Sequence, residues 1–110
     1  MRSYLINELS DADMEKIKAY MEEIAMPSRM ADSYWIPLPA YLLTHTQCRH
    51  HACQPHVFAA ELNPNRFTLE LLLRSLKKMR CSCQGYATPI QQAFAIGFVD
   101  RMIQKLGILG

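Results

Sequence analysis

Cysteine and histidine are the residues of this 110-residue chain whose types and spacing could support chemistry. All four histidines and two of the four cysteines lie in one stretch, HTQCRHHACQPH, over residues 45–56. The other two cysteines follow further along the chain as CSC, over residues 81–83. Thiolate and imidazole are the ligand types that zinc prefers, and four of them complete a tetrahedral structural site. The pattern therefore raises the hypothesis of a zinc site.

The predicted ligand set joins two pairs of cysteines. Cys48 and Cys53 have a spacing that is found between paired zinc ligands. Cys81 and Cys83, if they lie on a strand, point to the same side because side chains alternate along it. In a Cys₃His variant, one histidine would replace one of these cysteines. The candidates for that replacement are His45, His50, His51 and His56.

The alternative hypothesis is a metal-free protein with reduced thiols. Free cysteine is among the residue types most often buried, and it then behaves as a small hydrophobe. Cys81 and Cys83 would line the core, while His50 and His51 beside Arg49 would lie at a solvated loop tip. The chain contains no C-x-x-C pair, so both hypotheses stay open.

An enzyme is the less favoured class of function. A thiolate nucleophile needs a neighbouring base or positive field, and Cys48 or Cys53 among the histidines could meet that need. However, the scattered glycines exclude a phosphate-binding loop, and no H-E-x-x-H, G-x-S-x-G or EF-hand motif occurs. A thiol- or metal-dependent enzyme is therefore only a minor alternative to an accessory or interaction protein.

Charge and aromatic residues bear on the class of partner. The formal net charge is +2, which is weak for a nucleic-acid-binding surface. The most basic stretch, residues 74–80, has no interleaved aromatic residues, so nucleic-acid binding is not expected. Trp35, Tyr41 and Phe94 are candidates for contact with a protein partner or a second copy of the chain.

The composition predicts one soluble globular domain over residues 1–110. Half of the residues are hydrophobic and 20% are charged, which is normal for a folded protein of this size. The apolar runs are too short for a transmembrane helix, and the first residues do not resemble a signal peptide. We therefore expect a cytoplasmic protein without membrane association, whose cysteines are reduced.

Two amphipathic helices are predicted, over about residues 10–25 and 89–106. Ser10 is a favourable N-cap for the first helix, and Pro27 lies just beyond its end. Thr88 caps the second helix, with Pro89 at its first position. The apolar stripe of the first helix comprises Met14, Ile17, Met21 and Ile24.

Alternating apolar residues predict strands in the remaining segments. These are residues 3–8, 33–39, a hairpin around the turn at 63–66, and 79–87. Residues 67–79 also fit a helical stripe, but the strand pattern leaves fewer apolar residues unexplained. The predicted fold is α+β: a two-layer sandwich with a mainly antiparallel sheet of about three to five strands. The alternative is a mostly α protein with 67–79 helical.

Overall fold

A computed structural model describes residues 2–78 and 80–108 of the chain. Within these residues the order of elements begins with β1 (Ser3–Ile6), α1 (Asp11–Ile24), β2 (Met26–Pro27), β3 (Ser33–Pro37), a 3₁₀ turn (Ala40–Leu42) and α2 (His45–Arg49). It continues with a second 3₁₀ turn (His51–Cys53), β4 (His56–Asn63), β5 (Arg66–Glu70), β6 (Leu72–Ser75), β7 (Gly85–Tyr86) and α3 (Pro89–Lys105). The helix predictions are confirmed to within one residue of their bounds.

The strands form one antiparallel sheet around the long strand β4. The order along the sheet is β1-β5-β4-β3-β2, and β6 pairs with both β4 and β7. A tight turn joins β4 to β5, with Asn63 opposite Arg66, while the first residue of β4, His56, lies opposite Ser75 in β6. The predicted α+β fold with an antiparallel sheet is confirmed.

Residues 67–75 form strands, so the helical alternative for 67–79 is wrong. Phe67, Leu69, Leu71 and Leu73 are all buried, at 0–7% exposure, as expected when alternate side chains point into a core. Leu71 separates β5 from β6, and its carbonyl accepts a hydrogen bond from the Ala87 amide. Met79, at the end of the predicted segment, lies outside the described residues.

Two segments differ from the sequence-based expectation. Residues 80–84 form a turn, and the strand predicted over 79–87 is confined to Gly85–Tyr86. Residues 45–53, expected to be a loop, are largely helical because Thr44 and Gln47 form a capping box that starts α2. The sheet also gains the two-residue strand β2, which is too short for an alternating pattern to reveal.

The core lies between one face of the sheet and helices α1 and α3. Ile17 and Met21 of α1 and Val99 and Met102 of α3 are fully buried in the same cluster as Phe58 of β4. Ile24, predicted on the apolar stripe of α1, is 44% exposed at the helix end. The two layers of the predicted sandwich are therefore a helical layer and a sheet with one buried face.

None of the helices within residues 2–78 and 80–108 is both long and apolar enough to cross a membrane.

Candidate metal centre

The first part of the centre is the end of α2 and the 3₁₀ turn that follows it. The Thr44 hydroxyl accepts a hydrogen bond from the Gln47 amide at 3.2 Å, which starts the helix. The helix stops at His50, whose ψ of 66° leaves the helical region. The Cys53 amide then donates to the His50 carbonyl at 3.0 Å. His50 and Cys53 therefore lie on one tight H-x-x-C turn.

The second part is the turn between β6 and β7. The Ser75 hydroxyl accepts hydrogen bonds from the amides of Lys77 and Lys78, at 3.2 and 3.0 Å, where the chain leaves β6. Further on, the Gln84 amide donates to the Cys81 carbonyl at 3.2 Å. The Ser75 hydroxyl also donates to the Cys53 carbonyl, which ties this turn to the first part of the centre.

Four ligand atoms converge where these two segments meet. The Nδ1 or Nε2 atom of His50 and the Sγ atoms of Cys53, Cys81 and Cys83 all lie within 4.8 Å of one another. His50 Nδ1 is 3.1 Å from Cys81 Sγ and 3.9 Å from Cys53 Sγ. A tetrahedral zinc site with bonds of about 2.0–2.3 Å separates its ligand atoms by roughly 3.5–3.8 Å. This His/Cys cluster could therefore bind a metal ion.

The sulfur atoms of the cluster lie in different electrostatic surroundings. Hydrogen bonds from the backbone and side chain of Cys83 lower the pKa of the Cys81 thiol to about 6. Burial raises the pKa of the Cys83 thiol to about 12, because its charged form would be desolvated. Of these two thiols, that of Cys81 therefore loses its proton first in the absence of a cation, and a bound cation would offset the cost of a thiolate on Cys83.

A buried glutamine pair supports the cluster from the side of the core. The Gln47 side chain is 5% exposed, and its Nε2 donates to the Cys83 carbonyl at 3.2 Å. Its Oε1 accepts from the Thr44 amide at 3.0 Å and from Gln91 Nε2 at 2.9 Å. Gln91, in the first turn of α3, also donates to the Leu42 carbonyl at 2.9 Å. The turn that carries Cys83 is thus linked to the start of α3.

The structure places the predicted ligands in two groups. It brings Cys53, Cys81 and Cys83 together with His50, which corresponds to the Cys₃His variant. Cys48 is exposed on α2 and lies outside this cluster. The neighbouring Gln47 points into the protein, and successive positions on an α-helix are about 100° apart. The other predicted histidines outside the cluster are His45 and His51, both exposed, and the buried His56.

The expected position of the CSC pair on a strand is wrong, because Cys81 and Cys83 lie in the turn over residues 80–84. A turn lets two nearby side chains converge on one point, whereas a strand holds them apart at its fixed repeat. The H-x-x-C spacing of His50 and Cys53 is a signal in the sequence that the cysteine pairs alone do not contain. The supporting role of Gln47 could have been suspected from the capping-box pattern T-x-x-Q.

The three aromatic residues proposed for protein contact have different exposures. Tyr41 is 83% exposed on the first 3₁₀ turn. Trp35 is half-buried in β3, and Phe94 of α3 packs against the core cluster. Tyr41 is therefore the most accessible of the three, and a protein contact through any of them stays a prediction.

Comparison of the chain with protein-family models, with curated proteins and with solved structures gave no match.

Proposed function

We propose that this chain is a zinc-binding accessory domain that acts through protein contacts, with a structural zinc ion held by His50, Cys53, Cys81 and Cys83. The observation that carries the proposal is the convergence of four ligand atoms within 4.8 Å from two separate turns. Three sulfurs and one imidazole nitrogen form a ligand set that is typical of structural zinc sites.

The number and type of ligands support zinc in a structural role. Thiolates select soft or borderline-soft metals, whereas magnesium and calcium prefer oxygen ligands. Four protein ligands complete the tetrahedral coordination of zinc, so no position is left for a reacting water molecule. A catalytic zinc ion normally keeps such a position open. The site therefore favours stabilisation of the fold over catalysis.

Zinc would add direct bonds between two turns that are otherwise joined by the hydrogen bonds of Ser75 to Cys53 and of Gln47 to Cys83. It would hold the turn of Cys81 and Cys83 against the turn of His50 and Cys53. Between Ser75 and Gly85 the chain forms no strand in its described residues, so the metal would replace the missing ladder of hydrogen bonds. Because the unfolded chain has no preformed site, the free energy of zinc binding would contribute to folding.

Exposed apolar side chains near this region support a role in protein contacts. Tyr41 and Ile90 are 83% and 70% exposed. Their neighbours in the chain, Leu42 and Gln91, are joined by a hydrogen bond of 2.9 Å. If the partner is a second copy, sedimentation velocity shows self-association that Ile90→Glu removes. A wild-type chain that is monomeric at all concentrations excludes a second copy.

Metal analysis tests the zinc site directly. The protein is purified without added metal, and its zinc content is measured by mass spectrometry of the digested sample. We expect about one zinc ion per chain. Titration of native protein with a thiol reagent should detect the exposed Cys48 first, and all four thiols after chelation and unfolding. A zinc content far below one per chain, together with four freely reactive thiols, would favour the metal-free alternative.

Matched cysteine variants show whether the proposed ligands hold the metal. Cys83→Ser removes a ligand, and the purified variant should contain much less than one zinc ion per chain. Cys48→Ser makes the same chemical change outside the cluster and should keep it. Equal loss of zinc in both variants would contradict the proposed ligand set.

A further inference from the structure

His56 is a buried histidine that the proposed coordination sphere does not use. It is the first residue of β4 and is 1% exposed. Its Nε2 atom lies 3.2 Å from Cys83 Sγ, although His56 is not a member of the four-residue ligand group. Its position is set by the sheet, because His56 lies opposite Ser75 of β6. The imidazole is therefore held against one sulfur of the centre.

The surroundings of Nδ1, the other ring nitrogen of His56, indicate which of the two nitrogens carries the hydrogen. Nδ1 is buried and has no hydrogen-bond partner within residues 2–78 and 80–108. A neutral imidazole has one N–H donor and one bare acceptor nitrogen. A hydrogen on Nδ1 would leave a buried donor unpaired, which is costly. A hydrogen on Nε2 has an acceptor, the sulfur of Cys83.

Cys83 is, with Cys53, one of the two buried sulfur ligands, and it is the one that lies against His56 Nε2. Its side chain is 5% exposed, whereas Cys81 lies half-buried nearer the surface. Water can therefore reach the Cys81 sulfur more easily than the Cys83 sulfur. A buried thiolate requires hydrogen bonds in addition to its counter-ion, since burial of a charge is otherwise strongly unfavourable.

We propose that His56 is a positioning residue of the zinc centre, which donates its Nε2–H to the Cys83 thiolate while His50 supplies the nitrogen ligand. This inference rests on the proposed zinc site and adds an outer residue to it. Groups that hydrogen-bond to metal ligands orient those ligands and tune the metal. His56 would thus anchor the turn of Cys81 and Cys83 to the start of β4.

His50 is the better candidate for the nitrogen ligand. Its Nδ1 lies 3.1 Å from Cys81 Sγ and 3.9 Å from Cys53 Sγ, so it faces two sulfurs of the cluster. His56 has one sulfur contact, with Cys83. The two histidines therefore have separate roles, one inside and one outside the coordination sphere.

Five variants of the full chain test these roles, one of which, His50→Ala, removes the proposed nitrogen ligand. His56→Phe keeps a ring but removes the donor. His56→Gln places an amide nitrogen about where Nε2 lies, whereas the shorter His56→Asn places it near Nδ1, out of reach of the sulfur. His51→Gln is the control at an exposed histidine. Zinc affinity is measured by competition with a chromophoric chelator, and the thiolate-to-metal charge-transfer band is recorded after cobalt(II) substitution. Circular dichroism checks that each variant is folded.

We expect His56→Phe to weaken zinc binding about 10- to 100-fold while the stoichiometry stays at one ion. The charge-transfer band should shift to longer wavelength, because loss of the hydrogen bond raises the energy of the sulfur lone pairs. His56→Gln should recover most of the affinity and the wild-type band. His56→Asn should resemble His56→Phe, and His51→Gln should resemble the wild type. If His56→Phe fails to fold, the difference between the Gln and Asn variants decides the question.

Three results would overturn the inference. If His56→Phe or His56→Asn has the zinc affinity of the wild type and an unshifted band, the hydrogen bond from His56 to the Cys83 sulfur does not contribute to zinc binding. Equal weakening in the Gln and Asn variants would reduce His56 to a packing role. Loss of the metal from His56→Phe, with its retention by His50→Ala, would make His56 the ligand. Failure of the wild-type chain to bind zinc would instead refute the proposed function itself, and the inference with it.

Discussion

Replacement of Gln47 by methionine tests whether the buried glutamine pair holds the metal-binding turn in place. Methionine has nearly the length and volume of glutamine but cannot replace its hydrogen bonds. The change removes the donor to the Cys83 carbonyl and the acceptor for the Thr44 amide and Gln91 Nε2. Gln91 keeps its bond to the Leu42 carbonyl, so the damage is concentrated at Thr44 and Cys83.

The magnitude follows from these three hydrogen bonds. A typical bond contributes a net ~0.5–1.5 kcal/mol, and a buried polar group left unpaired costs ~1–3 kcal/mol. Gln47 is 5% exposed, so water cannot readily replace the lost partners. We expect Gln47→Met to lower the free energy of unfolding by about 2–4 kcal/mol, with a further loss of zinc affinity because the Cys83 turn is less firmly held.

The assay is urea unfolding of the zinc-loaded protein, followed by the fluorescence of its single tryptophan, Trp35. The matched control is Gln104→Met, the same substitution at an exposed position of α3, which should change stability by less than ~0.5 kcal/mol. A Gln47→Met variant as stable as this control would refute the conclusion that the buried pair supports the site.

Other perturbations test the site and the fold separately. When free zinc is at about 1,000 times the Kd, removal of the zinc by a chelator should lower the free energy of unfolding of the wild type by about 4 kcal/mol. Calorimetry should show that a chelator does not change the stability of Cys83→Ser. In the zinc-free protein, alkylation of Cys81 should have its midpoint near pH 6, and a midpoint near that of an ordinary thiol would contradict the hydrogen bonding described. The pKa of Cys81 is lower in the folded than in the unfolded chain, so its thiolate stabilises the zinc-free fold at pH values above the unfolded pKa. Denaturation at several pH values should show that this contribution is lost as the pH falls through 6. Phe58→Ala removes a fully buried ring and should cost about 3–5 kcal/mol in urea unfolding. Thr88→Ala removes the cap of α3 and should cost about 1 kcal/mol in the same assay, and no change would show that the cap is not needed.

Local patterns accounted for most of the fold. Ser10 and Thr88 marked the starts of α1 and α3 because capping depends on residues only a few positions apart. The alternation from Phe67 to Leu73 distinguished strand from helix for the same reason. The helical form of residues 45–53 was not predicted, although Thr44 and Gln47 form a capping box there, because a helix of five residues is too short for an apolar stripe to mark it.

The ligand types of the candidate centre were determined by the sequence alone, as were the helices α1 and α3 and the apolar face of the sheet. Which four residues converge was decided only by the tertiary structure. Cys81 approaches His50 across 31 positions of the chain, because the pairing of His56 with Ser75 brings the end of β6 beside the start of β4. No local pattern encodes that register, whose choice depends on burial of the whole sheet face. The same register places His56 against Cys83.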